Sequence, residues 1–137
     1  AKKSVALVNK VAQIIDLELE SPEDKMADIG VSDIETHMIE ERLTTILAKS
    51  DDQDHYAVFY MSLSLNKTHE DYSELKDYIP QYENEMKEIV ADEFAKYTVD
   101  EVLDKKDDIK DQVLMRIQEL FKSDFIINVS FGNILYN

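Results

Sequence analysis

The chain has no cysteine and no tryptophan, and only two glycines and two prolines in 137 residues. Without cysteine there is no disulfide, no zinc–thiolate site and no thiol nucleophile, and the redox compartment stays open. Scarce glycine leaves little material for a phosphate-binding loop, a dinucleotide fingerprint or a strained nucleophile turn, and none of those motifs is present. Scarce glycine and proline also argue against long flexible linkers. Positive charge is the other shortage, with a net charge of −15. Nucleic-acid binding relies on Lys and Arg neutralising phosphates, and anionic headgroups repel such a chain, so neither is an expected ligand. The longest unbroken apolar run, Tyr56–Met61, falls far short of the roughly 20 residues that cross a bilayer. No signal peptide is evident after Ala1.

What remains is 44% hydrophobic and 33% charged, the composition of one folded domain able to bury a core. Val5, Val8, Ala12, Ile15 and Leu19 recur at helical spacing, and Leu7, Val11 and Ile14 widen the stripe. Ser21-Pro22-Glu23-Asp24 has the form of a helix start, with Gly30 placed to end a short helix. Residues 31–42 fit neither period cleanly. Leu43–Ala48 reads as a strand, and the polar turn Lys49–Asp54 returns the chain into a hairpin partner, His55–Leu65.

Beyond Lys67 the period becomes helical at Ile79, Tyr82, Met86, Ile89, Val90 and Tyr97, with Pro80 in a first turn or at a kink. Thr98-Val99-Asp100-Glu101 has the spacing of a capping box. A further stripe follows at Ile109, Val113, Ile117, Leu120 and Phe121, and the end alternates, with Phe125, Ile127, Val129 and Phe131 expected on one face.

The expected fold is α+β: an antiparallel sheet with a two-helix crossover packed on one face, preceded by an amphipathic N-terminal helix. Residues 1–42 form a helical connector segment and 43–137 the α+β domain. In the long strand Ala57, Phe59, Met61, Leu63 and Leu65 point toward the helices, and Tyr56, Val58, Tyr60, Ser62 and Ser64 point away. A half-covered sheet can keep that second face wet, and tyrosine suits a surface that is sometimes covered.

Chemistry-bearing constellations are missing. His37, His55 and His69 lack metal-ligand spacing, and Asp51-Asp52-Gln53-Asp54 lacks the central Gly and closing Glu of a calcium loop. The abundant carboxylates fall overwhelmingly on polar helix faces, so no acid/base pair stands out. Asn66-Lys67-Thr68 and Asn128-Val129-Ser130 match the glycosylation triplet, a common chance pattern. The expectation is no enzyme, no catalytic, metal or cofactor-binding residue and no cofactor. Interaction is assigned to Tyr56 and Tyr60 on the open face, and to Val8 and Ile15 on the N-terminal stripe. That stripe must be buried by its own domain, a neighbouring subunit or a partner.

LTTILAKSDDQDHYAVFYMSLSLN resembles the start of the extracytoplasmic domain of the flagellar basal-body-associated FliL family, where a short strand and polar turn precede a long alternating strand. YIPQYENEMKEIVADEFAKYTVDEVLDKKDDIKDQVLMRIQELF resembles that family's two-helix unit, with Thr98-Val99-Asp100-Glu101-Val102 at its Thr-x-x-Glu-Leu junction. FIINVSFGNILYN looks like the closing strand, with Tyr136-Asn137 where the family has an aromatic residue and Gln. The resemblance covers about Leu43 to Asn137. Val102 departs from the family's Leu, and the family's single membrane-spanning helix is not within these residues. The resemblance implies a stomatin/prohibitin-like fold and a single-pass inner-membrane protein with this domain on the periplasmic side. It further implies a homo-oligomeric ring that contacts flagellar stator proteins and supports motility, with no catalytic residues. The alternative is a soluble acidic protein-binding module, such as a carrier or secretion chaperone, that uses the tyrosine-lined face.

Overall fold

The computed structural model describes residues 29–137, so the expected N-terminal helix, with Val8 and Ile15, lies outside the described residues. Within them, β1 (Ile34–Met38), β2 (Leu43–Ile46), β3 (Tyr56–Asn66) and β4 (Ile126–Tyr136) form one antiparallel sheet. β3 pairs with β1 over residues 62–66, with β2 over 56–59, and with β4 along most of its length. A strand has two edges, so β1 and β2 lie end to end on one edge of β3 and β4 takes the other. The break between them starts after Ile39, whose N–H still donates to the Met61 carbonyl at 3.0 Å. The expected division between residues 42 and 43 falls inside that shared edge, and β1 belongs to the same sheet.

β3 alternates strictly, with Ala57, Phe59, Met61, Leu63 and Leu65 buried and the intervening residues half-buried. Helices cover the buried face. Tyr72–Leu75 forms the short α1, Lys76–Tyr82 a 3-10 stretch, Glu83–Phe94 α2, Val99–Val102 α3 and Lys106–Phe121 α4. Pro80 sits in the 3-10 stretch, ahead of the first turn of α2. Met86, Ile89, Val90 and Phe94 of α2 join Ile109, Val113, Ile117 and Phe121 of α4 in one core. Its centre is aromatic: Phe59 stacks on Phe94 with centroids 4.9 Å apart, and Phe131 lies 4.9 Å from Phe59 and 5.4 Å from Phe94. The coarse expectation, α+β with an antiparallel sheet, stands.

The turns follow local chemistry. The Glu101 N–H donates to the Thr98 hydroxyl at 3.2 Å and the Thr98 N–H donates to the Glu101 carboxylate at 3.0 Å, a complete capping box that starts α3. α4 ends differently. Lys122 takes a left-handed conformation at φ 54°, which lets the Ser123 N–H reach the Gln118 carbonyl at 3.1 Å. That position favours glycine, because a Cβ there crowds the following carbonyl. Lys122→Gly is therefore expected to raise stability by about 0.5–1 kcal/mol, read as a higher urea midpoint at unchanged slope.

β4 departs from simple alternation at two places. Asn128 opposes Ser64 while Ile126 opposes Leu65, so Ile127 is an extra residue in the ladder. The expectation that Ile127 shares the face of Phe125, Val129 and Phe131 is corrected by this bulge: those three join the core cluster, and Ile127 is buried outside it. The second irregularity lies between the Val58 and Tyr60 pairings, where Asn133 adopts φ 54°. It restores Ile134 and Tyr136 to the core side and turns Leu135 outward, opposite Val58.

Candidate functional site: the open face of the sheet

Register assigns the second face strand by strand. β3 contributes Tyr56, Val58, Tyr60, Ser62 and Ser64. Thr36 and Met38 of β1 pair with Ser64 and Ser62, and Thr44 and Ile46 of β2 pair with Val58 and Tyr56. β4 adds Asn128, Ser130, Gly132 and Leu135. None of these side chains is charged, in a chain of which 33% is charged. Charge enters from the rim, where the Arg42 guanidinium lies 5.6 Å from the centre of the Tyr60 ring, a cation–π distance.

The face has two unlike ends. At the β2 end Tyr56, Val58 and Tyr60 are flanked by two exposed apolar side chains, Ile46 (48%) and Leu135 (60%). At the other end the side chains are small and polar, Ser62, Ser64 and Ser130, with Asn128 beside them. Between the two runs a shallow groove of about 320 Å³ lined by Met38, Tyr60, Ser62, Gly132 and Asn133, with Met61 at its floor. Gly132 leaves it open, since a Cβ there would meet nothing within 4 Å.

The expected interaction residues Tyr56 and Tyr60 thus share one face, four residues apart on β3 with Val58 between them. Val8 and Ile15 lie outside the described residues. Met38, Arg42, Ile46 and Leu135 were not singled out by sequence. β1 has no clear period, and the outward turn of Leu135 depends on the bulge at Asn133. Exposed apolar residues beside tyrosines give this face a composition shared with surfaces that bind by area and shape.

Chemical groups elsewhere are locally satisfied. Each of the three histidines meets a different carboxylate: His37 with Glu83 at 3.1 Å, His55 with Asp51 at 3.0 Å and His69 with Asp124 at 2.7 Å. The Asp71 N–H donates to Nδ1 of His69 at 3.0 Å, so the proton on Nε2 faces Asp124. Among the described residues no group of three or more His, Cys, Asp or Glu is placed to hold a metal ion. Nor is any described helix long and apolar enough to cross a membrane.

Asp51, suspected of nothing more than a turn, accepts the Gln53 N–H at 2.8 Å as well as His55. The bond to Asp51, helped by the Asn137 carbonyl at 2.8 Å, holds the His55 imidazole above its usual pKa of 6.5. The same bond to His55, with that from Gln53, holds Asp51 below 3.8. A raised histidine favours the folded state below 6.5 and loses that contribution as pH rises through its folded value. A lowered aspartate favours it above 3.8 and loses that as pH falls through its own. The pair is thus fully formed between those limits. NMR titration is expected to place His55 above 6.5 and to return it toward that value in Asp51→Asn.

No protein-family model matches the chain, and no curated protein matches it.

Proposed function

We propose that this domain is a non-enzymatic, FliL-like scaffold of the flagellar basal body, which supports or regulates the motor stator. In this reading a single-pass anchor upstream holds it on the periplasmic side of the inner membrane, and copies assemble into a ring. The finer fold is stomatin/prohibitin-like. Support comes first from the sequence resemblance over Leu43 to Asn137, which the order of two strands, two main helices and a closing strand accompanies. It comes second from the open face. A chain of net charge −15 keeps charged side chains off one broad surface, and its tyrosines, Ile46 and Leu135 suit a protein partner better than water.

The test is genetic and cell-biological. A fluorescent fusion of the full-length gene product is expected at the flagellar base, and its deletion is expected to reduce swimming speed. Tyr56→Glu with Tyr60→Glu, which leaves the core untouched, should reproduce the motility loss with the protein still folded and membrane-bound. Diffuse localisation together with normal motility in the deletion strain sinks the reading. In that outcome the groove beside Tyr60 favours the soluble acidic binding module instead.

A further inference from the structure

We propose that the His55 imidazolium is a proton-operated latch, which ties the end of β4 to the turn between β2 and β3 and releases that end on losing its proton. The inference does not depend on a flagellar role. It starts from the two ring nitrogens, both of which face acceptors. Nε2 lies 3.1 and 3.0 Å from the Asp51 carboxylate oxygens, and Nδ1 lies 2.8 Å from the main-chain oxygen of Asn137. Neither partner has a hydrogen to give. A neutral imidazole donates from one nitrogen and accepts at the other, so it satisfies only one of these contacts; the cation donates from both. His69 is the contrast. It accepts the Asp71 N–H at Nδ1 while Nε2 faces Asp124, so its neutral ring satisfies both.

The backbone around His55 gives the contact its consequence. The His55 carbonyl accepts the Leu47 N–H at 2.8 Å, which fixes the residue on the β2 side, while its ring reaches across to β4. Asn137 pairs with Tyr56: its N–H donates to the Tyr56 carbonyl at 2.9 Å, and its oxygen accepts the Tyr56 N–H at a longer 3.3 Å. The shorter bond to that oxygen is the one from His55. With the ring only 17% exposed, water is poorly placed to replace it. On deprotonation the remaining proton stays toward the carboxylate, the stronger acceptor, and the bare Nδ1 lone pair faces the Asn137 oxygen. Two residues inward, Val58 and Leu135 form the next hydrogen-bonded pair, and the irregularity at Asn133 then interrupts the ladder. The unit released is therefore residues 134–137. It includes Leu135, exposed beside Tyr56 and Val58 at the apolar end of the open face.

The surrounding charges favour the cation. Asp51 acts from the turn and Asp100 from α3, where the Tyr97 carbonyl just ahead accepts the Ala48 N–H at 2.8 Å. Lys49, on the same turn, meets Asp54 at 3.6 Å. The β4 side chains beside the contact, Leu135, Tyr136 and Asn137, bring no charge, since burial holds the Tyr136 hydroxyl above its usual 10. With the bonds to Asp51 and Asn137, these neighbours hold His55 above 6.5. The latch is closed at lower pH and opens as pH rises through the folded value.

Amide solvent exchange followed by NMR, each rate divided by its intrinsic rate at the same pH, reads the latch. Protection of Leu135 and Asn137 is expected to fall about threefold to tenfold, the worth of one hydrogen bond, as pH rises through the titration of the imidazole itself. Asn128 and Ser130, paired with Ser64 and Ser62 on the far side of the irregularity, should show no step. In Asp51→Asn the imidazole titrates lower, and the exchange step should move down with it. His55→Gln should abolish the step and leave Leu135 and Asn137 at the low protection throughout. A flat profile in the unaltered chain overturns the proposal, as does a step that ignores Asp51→Asn or survives His55→Gln. A parallel fall at Asn128 and Ser130 overturns it too, because the whole sheet is then responding.

Discussion

Phe59→Asp is expected to unfold the domain. Phe59 is fully buried on β3, between Phe94 of α2 and Phe131 of β4, each with its ring centroid 4.9 Å away. Deleting the ring alone costs about 3–5 kcal/mol, since Phe94 and Phe131 would border the resulting cavity. The carboxylate adds a second penalty, for no cation lies within reach among those core neighbours, and an unpaired buried charge costs several kcal/mol more. The sum rivals the whole stability of a typical domain, about 5–15 kcal/mol. Loss of the cooperative thermal transition by circular dichroism is the expected result. The neighbouring residue supplies the contrast: Tyr60, half-buried on the open face and touched by Arg42, should tolerate Tyr60→Ser at a cost of about 1 kcal/mol or less. A cooperative, near-native melt for Phe59→Asp, or a collapse for Tyr60→Ser, would reverse the assignment of the two faces.

That contrast was legible in the sequence because β3 is central. Most of its residues meet neighbours on both edges, so burial dictates residue type and the period of two survives. β1 was not legible for the opposite reason. It is a five-residue edge strand whose helix-side positions are Glu35 and His37. Those polar residues are tolerated because helix-side partners satisfy them: the Tyr72 hydroxyl donates to Glu35, and His37 meets Glu83 at 3.1 Å. A side chain whose partner lies some forty residues away carries no local signal. β4 was half legible. Its composition announced a strand, but the bulge at Ile127 arises from pairing with β3, and the one at Asn133 is signalled only by Gly132-Asn133, a pair that interrupts the alternation. The open face inherits both cases, with Tyr56 and Tyr60 evident from alternation and Met38 and Leu135 placed only by register.

Glu93 is the acid that breaks the pattern of polar helix faces, and it carries the second large expected effect. It lies on the buried side of α2 at 2% exposure, among Val90 and Phe94. Lys96 donates to its two carboxylate oxygens at 3.0 and 3.2 Å, and Arg116 of α4 donates at 3.0 Å, its other nitrogen reaching Asp92 at 3.3 Å. Arg116 is the cation that ties α2 to α4, whereas Lys96 is a local, more exposed partner from the next turn. Arg116→Ala removes the interhelical bond and leaves a buried carboxylate with one cation, the exposed Lys96. Breaking a buried pair costs about 3–5 kcal/mol when nothing replaces the lost partner. Lys96 and the partial exposure of Arg116 reduce that to about 2 kcal/mol. Glu93→Leu removes the charge that needed compensation and adds apolar area beside Phe94, so it should cost less, within about 1 kcal/mol of neutral. Urea unfolding of the two variants and their double mutant gives the comparison directly, provided the slopes match. The expected order is Arg116→Ala less stable than Glu93→Leu, with the double mutant close to Glu93→Leu. The reverse order would mean that the carboxylate itself holds the two helices in place, through its bonds to both cations, more strongly than its desolvation opposes it.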